Sequence, residues 1–369
     1  MTTPPANPDL IHLPNPTDSL KACIQRNPAL WNELRTEPNR FRVLTGERTT
    51  GPLHVGHYFG SLRSRVTLQN WGVPLFLVLA DYQAITDRHA TAGIRESVEA
   101  ILLDYLAIGL DLEKSTPFTH SMVPALNQLV LPFLSVISMA ELQRNPTVKE
   151  EIALSGTKAV SGLMMTYPAH QAADILYCHG NVVPGGKDQL PHVELTRLIA
   201  RRLNNLYFDG RPYFPETELL LSETPMLLGL DGRKMSKSLN NAIYIGTAEE
   251  DTARLIKTAK TDSDRHITYE PATRPEVSNL LLLCSLCTDE TPDQIASQIG
   301  DGGAVALKKR LTEAVNEYFR PMRARRRELS KDMGYVLSLL KRGNDRANEI
   351  ADRTLAELRI AMKMSYYSP

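Results

Sequence analysis

The sequence predicts an α/β protein in which a doubly wound parallel sheet is followed by an all-helical C-terminal region. Three observations carry this. Val73 to Ala80 (VPLFLVLA) is a continuous apolar run, the pattern of a strand buried on both faces. From Arg40 onward, strand-like runs alternate with segments of helical periodicity, as in a sheet covered on both sides. Beyond residue 250 the chain is almost wholly helix-like.

Taken in order, the first twenty residues or so (MTTPPANPDLIHLPNPTDS onward) are proline-rich and polar, and read as a loose leader before a short helix ending near Thr36. Residues 41–46 form a β-like run closed by glycine, and 56–70 suit a helix. After the 73–80 strand, 91–109 (TAGIRESVEAILLDYLAIG) repeats apolar positions at helical spacing, and PFTHS at 117–121 reads as a short strand. GNVVPGGKDQ, beyond Gly180, reads as a turn, followed by a helix from about Leu190 to Leu203. The loop DGRKMSKSLNNAI at 231–243 precedes the change of character near residue 245. PATRPEVSN at 271–279 and GDGG at 300–303 break the helices that follow. The expected divisions are 1–39 (leader and N-terminal helix), 40–245 (sheet domain), 246–345 (helical domain) and 346–369, an amphipathic segment packing back on the sheet.

With 369 residues, about two domains are expected, with ample core. Lysine plus arginine and aspartate plus glutamate balance at 42 each, which excludes a wholly basic nucleic-acid or membrane binder, so any basic footprint must be local. Cys23, Cys178, Cys284 and Cys287 form no secreted disulfide framework, and no stretch has the apolar length to span a bilayer, so a cytoplasmic location is expected.

TTGPLHVGHYFGSL, from Thr49 to Leu62, brackets two histidines three residues apart with three glycines, directly after the first strand. In a doubly wound sheet, ligands sit beyond the carboxyl ends of the strands, where helix N-termini offer free N–H groups to anions. Histidines there can donate to phosphate oxygens; read alone, His54-x-x-His57 also fits half a metal site or two surface histidines at a turn. Gly232 to Ser238 (GRKMSKS) adds two lysines in a loop with no apolar face, either a solvated basic loop or a clamp neutralising a polyphosphate.

His54–His57 together with Lys234-Met235-Ser236-Lys237-Ser238 resembles the class I aminoacyl-tRNA synthetases. Residues 166–204 (TYPAHQAADILYCHGNVVPGGKDQLPHVELTRLIARRLN) and 257–281 (KTAKTDSDRHITYEPATRPEVSNLL) narrow the likeness to the tryptophanyl-tRNA synthetases, and the similarity covers roughly Arg42 to Met364. The resemblance implies a Rossmann-type catalytic domain, a helical anticodon-binding domain, a homodimer, and tryptophan activation by Mg-ATP followed by transfer to tRNA(Trp), with no covalent enzyme intermediate. His54, His57, Lys234 and Lys237 would be catalytic. Thr45, Gly46, Gly51, Gly56, Gly186, Asp188, Met235 and Ser236 would join them around ATP. Gln83, Tyr167, Gln171, Asp174 and Gln189 would hold the amino acid, with the Asp174 carboxylate accepting the indole N–H. No metal site is implied beyond the magnesium carried by ATP.

Gln83 and Gln171 depart from the usual bacterial pattern of a histidine and an apolar residue, which implies a more polar pocket and likeness to the auxiliary branch of the family. Tyr167-x-x-x-Gln171-x-x-Asp174 also matches a tyrosyl-tRNA synthetase pattern, and a non-charging regulatory paralogue is the remaining alternative. Cys284-x-x-Cys287 lies where some members hold an iron–sulfur cluster, but its leucine neighbours at helical spacing favour packed thiols and no cluster. FRPMRARRRELSK at 319–331 concentrates Arg320, Arg323, Arg325, Arg326 and Arg327 in one helical stretch, and is expected to contact tRNA phosphates.

Overall fold

A computed structural model describes residues 16–86, 91–155, 160–222, 224, 226–237 and 239–366. The expected leader lies largely outside these, as does Ser238. Helix α1 (Pro16–Thr36) leads into β1 (Val43–Arg48). A single helical turn α2 (Val55–His57) continues through a π-turn (Tyr58–Leu62) into α3 (Arg63–Asn70), then β2 (Leu75–Ala80), α4 (Ile94–Ala107) and β3 (Thr116–Thr119). Helices α5 (Pro124–Ser135), α6 (Met139–Arg144), α7 (Pro146–Ser155) and α8 (Gly162–Leu176) precede β4 (Val182–Gly185), α9 (Leu190–Tyr207) and β5 (Glu218–Leu221). The remainder is helical: α10 (Glu249–Lys257), α11 (Pro275–Cys287), α12 (Pro292–Ile299), α13 (Gly303–Leu329) and α14 (Met333–Ala361).

All pairings in the sheet are parallel, in the order β3-β2-β1-β4-β5. The chain therefore winds outward from β1 in one direction and then restarts at β4 in the other. The loops leaving β1 and β4 diverge and open a crevice at the carboxyl end of the sheet. Alternation along β2 shows how the faces are covered. Leu75, Leu77 and Leu79 enter one core with α1, α4 and α10 to α13, while Phe76, Val78 and Ala80 enter another with α5, α8, α9 and α14.

Two expectations are corrected. GNVVPGGKDQ contains a strand, β4, as well as a turn, because Val182 and Val183 extend the sheet between β1 and β5. The division at 345 falls inside α14, which is one continuous helix from Met333. That helix covers the β3 edge of the sheet: Asn344 Oδ1 accepts the Thr119 N–H at 3.0 Å, and a Cβ on Gly343 would sit 1.9 Å from the Pro117 carbonyl oxygen. Ala347, Ala351, Leu355 and Leu358 complete its buried stripe. No helix among the described residues is long and apolar enough to cross a membrane.

Candidate active site

The crevice at the strand switch holds a cavity of about 550 Å³. One wall is β1, from Leu44 to Arg48; a second is the β4 turn, from Val183 to Gln189; a third is α8, through Tyr167, Gln171 and Asp174. His57, Lys234 and Gln83 also line the cavity.

His54 adopts an extended conformation and caps α2. Its spacing from His57 is that of a reciprocal capping box. The His57 N–H donates to His54 Nδ1 and the His54 N–H to His57 Nδ1, both at 3.2 Å, and the rings stack with centroids 3.5 Å apart. Burial, then the neighbouring cations, with Lys237 among them, hold both imidazoles near a pKa of about 3. Each ring is therefore neutral at pH 7 with Nδ1 engaged as acceptor, which leaves the proton on Nε2 as a hydrogen-bond donor. Gly56 lets the pair form, since a Cβ there would lie 3.0 Å from His54 Nδ1 and 3.1 Å from Met235 Sδ.

The 231–243 loop is docked onto this turn. Lys237 Nζ donates to the Gly51 carbonyl at 2.6 Å, and Gly51 reaches that position with φ +119°, which only glycine adopts readily. Burial lowers the Lys237 pKa. Asn241 shapes the loop: its Nδ2 donates to Asp231 Oδ1 (2.8 Å) and Lys234 O (3.1 Å), and its Oδ1 accepts the Ser236 N–H (2.9 Å). Lys234 is exposed and lines the cavity. The loop returns to the histidines through main-chain bonds from Val55 N–H to Ile243 O and from Ile245 N–H to Leu53 O, each 2.9 Å.

Asp174 is 2 % exposed on α8. Both of its oxygens have donors within the chain. His120 Nε2 donates to its Oδ1 at 2.8 Å, and Gln83 Nε2 approaches Oδ2 at 3.5 Å. His120 is itself fully buried, beside His170, whose Nε2 donates to Asn127 Oδ1. Gln171 Nε2 donates to Gln189 Oε1 at 3.0 Å, and Gln189 Nε2 to Asp188 Oδ2 at 3.3 Å, so the turn after β4 and α8 form one polar wall. His192, on the first turn of α9, faces Tyr167 with ring centroids 5.4 Å apart, and burial pushes it down to about 4.

Of the predicted residues, Thr45, Gly46, His57, Gln83, Tyr167, Gln171, Asp174, Gly186, Asp188, Gln189 and Lys234 line one cavity. Gly51, His54, Gly56, Met235, Ser236 and Lys237 form the layer behind His57 and Lys234. Sequence reasoning missed His120, His192, Asn241 and the buried Glu47–Arg65 pair (2.7 Å), which also lines the cavity. His120, inside PFTHS, was the most legible of these, as a histidine ending a buried strand.

The arginine run divides between inward and exposed members. Arg323 is buried, its guanidinium bonded to Asn316 Oδ1 (2.7 Å) and Thr252 Oγ1 (2.9 Å). Arg325 Nε donates to Ala107 O, and Arg326 Nε to Asp104 Oδ1 at 2.6 Å. Arg320, Arg325 and Arg327 remain exposed, with Arg320 paired to Glu249 and Glu317. Arg323 and Arg326 face inward and staple α13 to α10 and α4. Cys284 lies in the core of α11, where burial raises its thiol to about 11.

A parallel α/β sheet with a histidine-capped turn and a docked lysine loop across its switch point is the arrangement expected of a class I synthetase. Residues 36–320 match the family described as tRNA synthetases class I (W and Y). The chain is 40% identical over 343 residues to a tryptophan–tRNA ligase of Streptococcus pneumoniae serotype 4, covering 88% of this chain and 98% of that one. A tryptophan–tRNA ligase of Streptococcus agalactiae serotype V is equally similar, at 40% over 342 residues with the same coverage. Among solved structures, tryptophanyl-tRNA synthetase from Campylobacter jejuni complexed with ADP and tryptophan superposes with a TM-score of 0.74 at 30% identity, covering 88% of this chain and all (100%) of that chain. The chain belongs to the class I tRNA synthetases for tryptophan and tyrosine.

Proposed function

We propose that this chain activates L-tryptophan with Mg-ATP and transfers the tryptophanyl group to tRNA(Trp). The observation that supports this is a single cavity of about 550 Å³ whose lining includes His57 and Lys234 together with Gln83, Tyr167, Gln171 and Asp174. In the first step a tryptophan carboxylate oxygen attacks the α-phosphorus of ATP and the α–β bridging bond breaks. Pyrophosphate leaves with the electron pair. In the second, the terminal adenosine hydroxyl of tRNA attacks the adenylate carbonyl and AMP departs.

Positioning and electrostatics supply the catalysis. The Nε2–H groups of His54 and His57 donate to phosphate oxygens, and Lys234 and Lys237 neutralise the departing pyrophosphate. Asp188, Gln189 and Gly186 hold the ribose and amino end, while Asp174, held by His120, accepts the indole N–H with Gln83, Tyr167 and Gln171 around it. Magnesium arrives with ATP as part of the substrate. The α10 to α14 region reads the tRNA; the working unit is a homodimer, in the cytoplasm where tRNA is charged. The test is ATP–pyrophosphate exchange by the purified chain with each of twenty amino acids. Exchange with tryptophan alone supports the reading, exchange with tyrosine reassigns the pocket, and exchange with none points to a regulatory paralogue.

A further inference from the structure

The buried carboxylate of Asp104 has no part in the chemistry above, yet both of its oxygens are committed. Asp104 sits on α4 at 0 % exposure, inside the apolar run Ile101 to Tyr105. Its Oδ2 accepts the main-chain N–H of Leu53 at 2.9 Å, and its Oδ1 accepts Arg326 Nε from α13 at 2.6 Å. Leu53 is the residue before His54. We infer that Asp104 and Arg326 are positioning residues that tie the His54–His57 phosphate turn to the helical C-terminal region.

The surroundings make this link specific. The Leu53 carbonyl and the Val55 N–H are held by Ile245 and Ile243, so Asp104 secures the one remaining main-chain group between Leu53 and Val55 that anchors the entry to α2. The Arg326 side chain lies flat against Gly246, where a Cβ would meet Nε at 3.0 Å and Cδ at 3.1 Å. Arg326 therefore touches α4, the end of the lysine-loop return and α13 at once. Tyr58 and Tyr318 add a second link between the same elements, with hydroxyl oxygens 3.1 Å apart. A shift of α13 is thus passed through two charge-assisted hydrogen bonds to the backbone that aims His54. An error of about 1 Å in such placement costs on the order of 10²-fold in rate.

The inference rests on the synthetase reading, and its test separates the two. Arg326→Ala and Arg326→Lys are compared with the unaltered full-length chain by tryptophan-dependent pyrophosphate exchange, active-site titration, KM for tRNA, and hydrogen exchange at the Leu53 amide. For Arg326→Ala, exchange kcat is expected to fall roughly 10- to 100-fold. The active fraction and the KM values for tryptophan and tRNA should stay within about twofold; millimolar guanidinium should restore part of the rate, and Arg326→Lys should retain more of it. Leu53 amide protection should drop in the alanine variant. Unchanged exchange with a raised KM for tRNA would make Arg326 a nucleic-acid contact instead. A rate loss that tracks a fallen active fraction, with no guanidinium recovery, would make the pair a structural staple only. Unchanged Leu53 protection overturns the link even if the unaltered chain exchanges with no amino acid, an outcome that by itself sinks only the synthetase reading.

Discussion

Acidification should expose the neutral state of the histidine pair through stability. An unfolded histidine titrates near 6.5, whereas burial first, then the adjacent ring and Lys237, hold His54 near about 3. As pH falls below about 6.5 the unfolded chain takes up a proton that the native His54 refuses. Stability is therefore undiminished above that value, declines from about 6.5 to 3, and levels off below. Between pH 7.5 and 5.0 the linkage amounts to about 2 kcal/mol for this one imidazole. His57, near about 3 for the same leading reason, doubles it. The perturbation that isolates the term is His54→Asn, whose side-chain carbonyl can still accept the His57 N–H that Nδ1 accepts at 3.2 Å. Urea unfolding of both proteins at the two pH values gives a difference of differences. His170, His179 and His192, also lowered by burial, titrate alike in both proteins and cancel. The variant should lose about 2 kcal/mol less on acidification than the unaltered chain. Equal losses would mean that His54 is already protonated or freely titrating in the fold, and would remove the Nε2–H donor assignment with it.

Four further outcomes follow from the site. Asp174→Asn replaces a charged acceptor, so kcat/KM for tryptophan should fall about 10- to 100-fold; His120→Leu, which strips the 2.8 Å donor from Oδ1, should raise KM for tryptophan about tenfold with kcat little changed. An unmoved KM in pyrophosphate exchange would reduce His120 to a space-filler. Asn241→Ala removes three hydrogen bonds from the 231–241 loop and should lower exchange kcat by at least about tenfold, while KM for tryptophan holds, since Asn241 is not part of the cavity lining. Gly46→Ala would put a Cβ 2.0 Å from the Val78 carbonyl oxygen across the β1–β2 pair, and should destabilise the chain by about 3 kcal/mol in urea unfolding; Gly60→Ala, with nothing within 4 Å, is the near-neutral control.

The parts of this protein that were legible in the sequence are those whose signal is local. β2 announces itself because both faces of LFLVLA are buried, and the histidine turn because a capping box needs its two members three residues apart. β4 and β5 span four residues each, too few periods to separate from turns, and VVPGG carries the composition of a loop. The site divides in the same way. His57, Asp174 and Gln189 belong to short motifs, whereas His120 and Asn241 matter only through partners that the fold brings from other elements, such as Asp174 on α8.

The arginine run shows a different failure, because composition reports how much charge a helix carries and not where it points. Arg323 and Arg326 are three residues apart on α13, on the flank that also buries Phe319 and Met322 against the core. An inward guanidinium needs acceptors; Arg323 finds them in Asn316 and Thr252, and for Arg326 α4 held a carboxylate in plain view. Asp104 interrupts ILLDYLAIG, an apolar stripe in which an unpaired carboxylate would be costly. A buried acid on one helix and a basic run on another are two misfits with a single resolution. Pairing such misfits before assigning any of them to an external ligand would have placed Arg326 against Asp104 and left Arg320, Arg325 and Arg327 as the exposed members of the run.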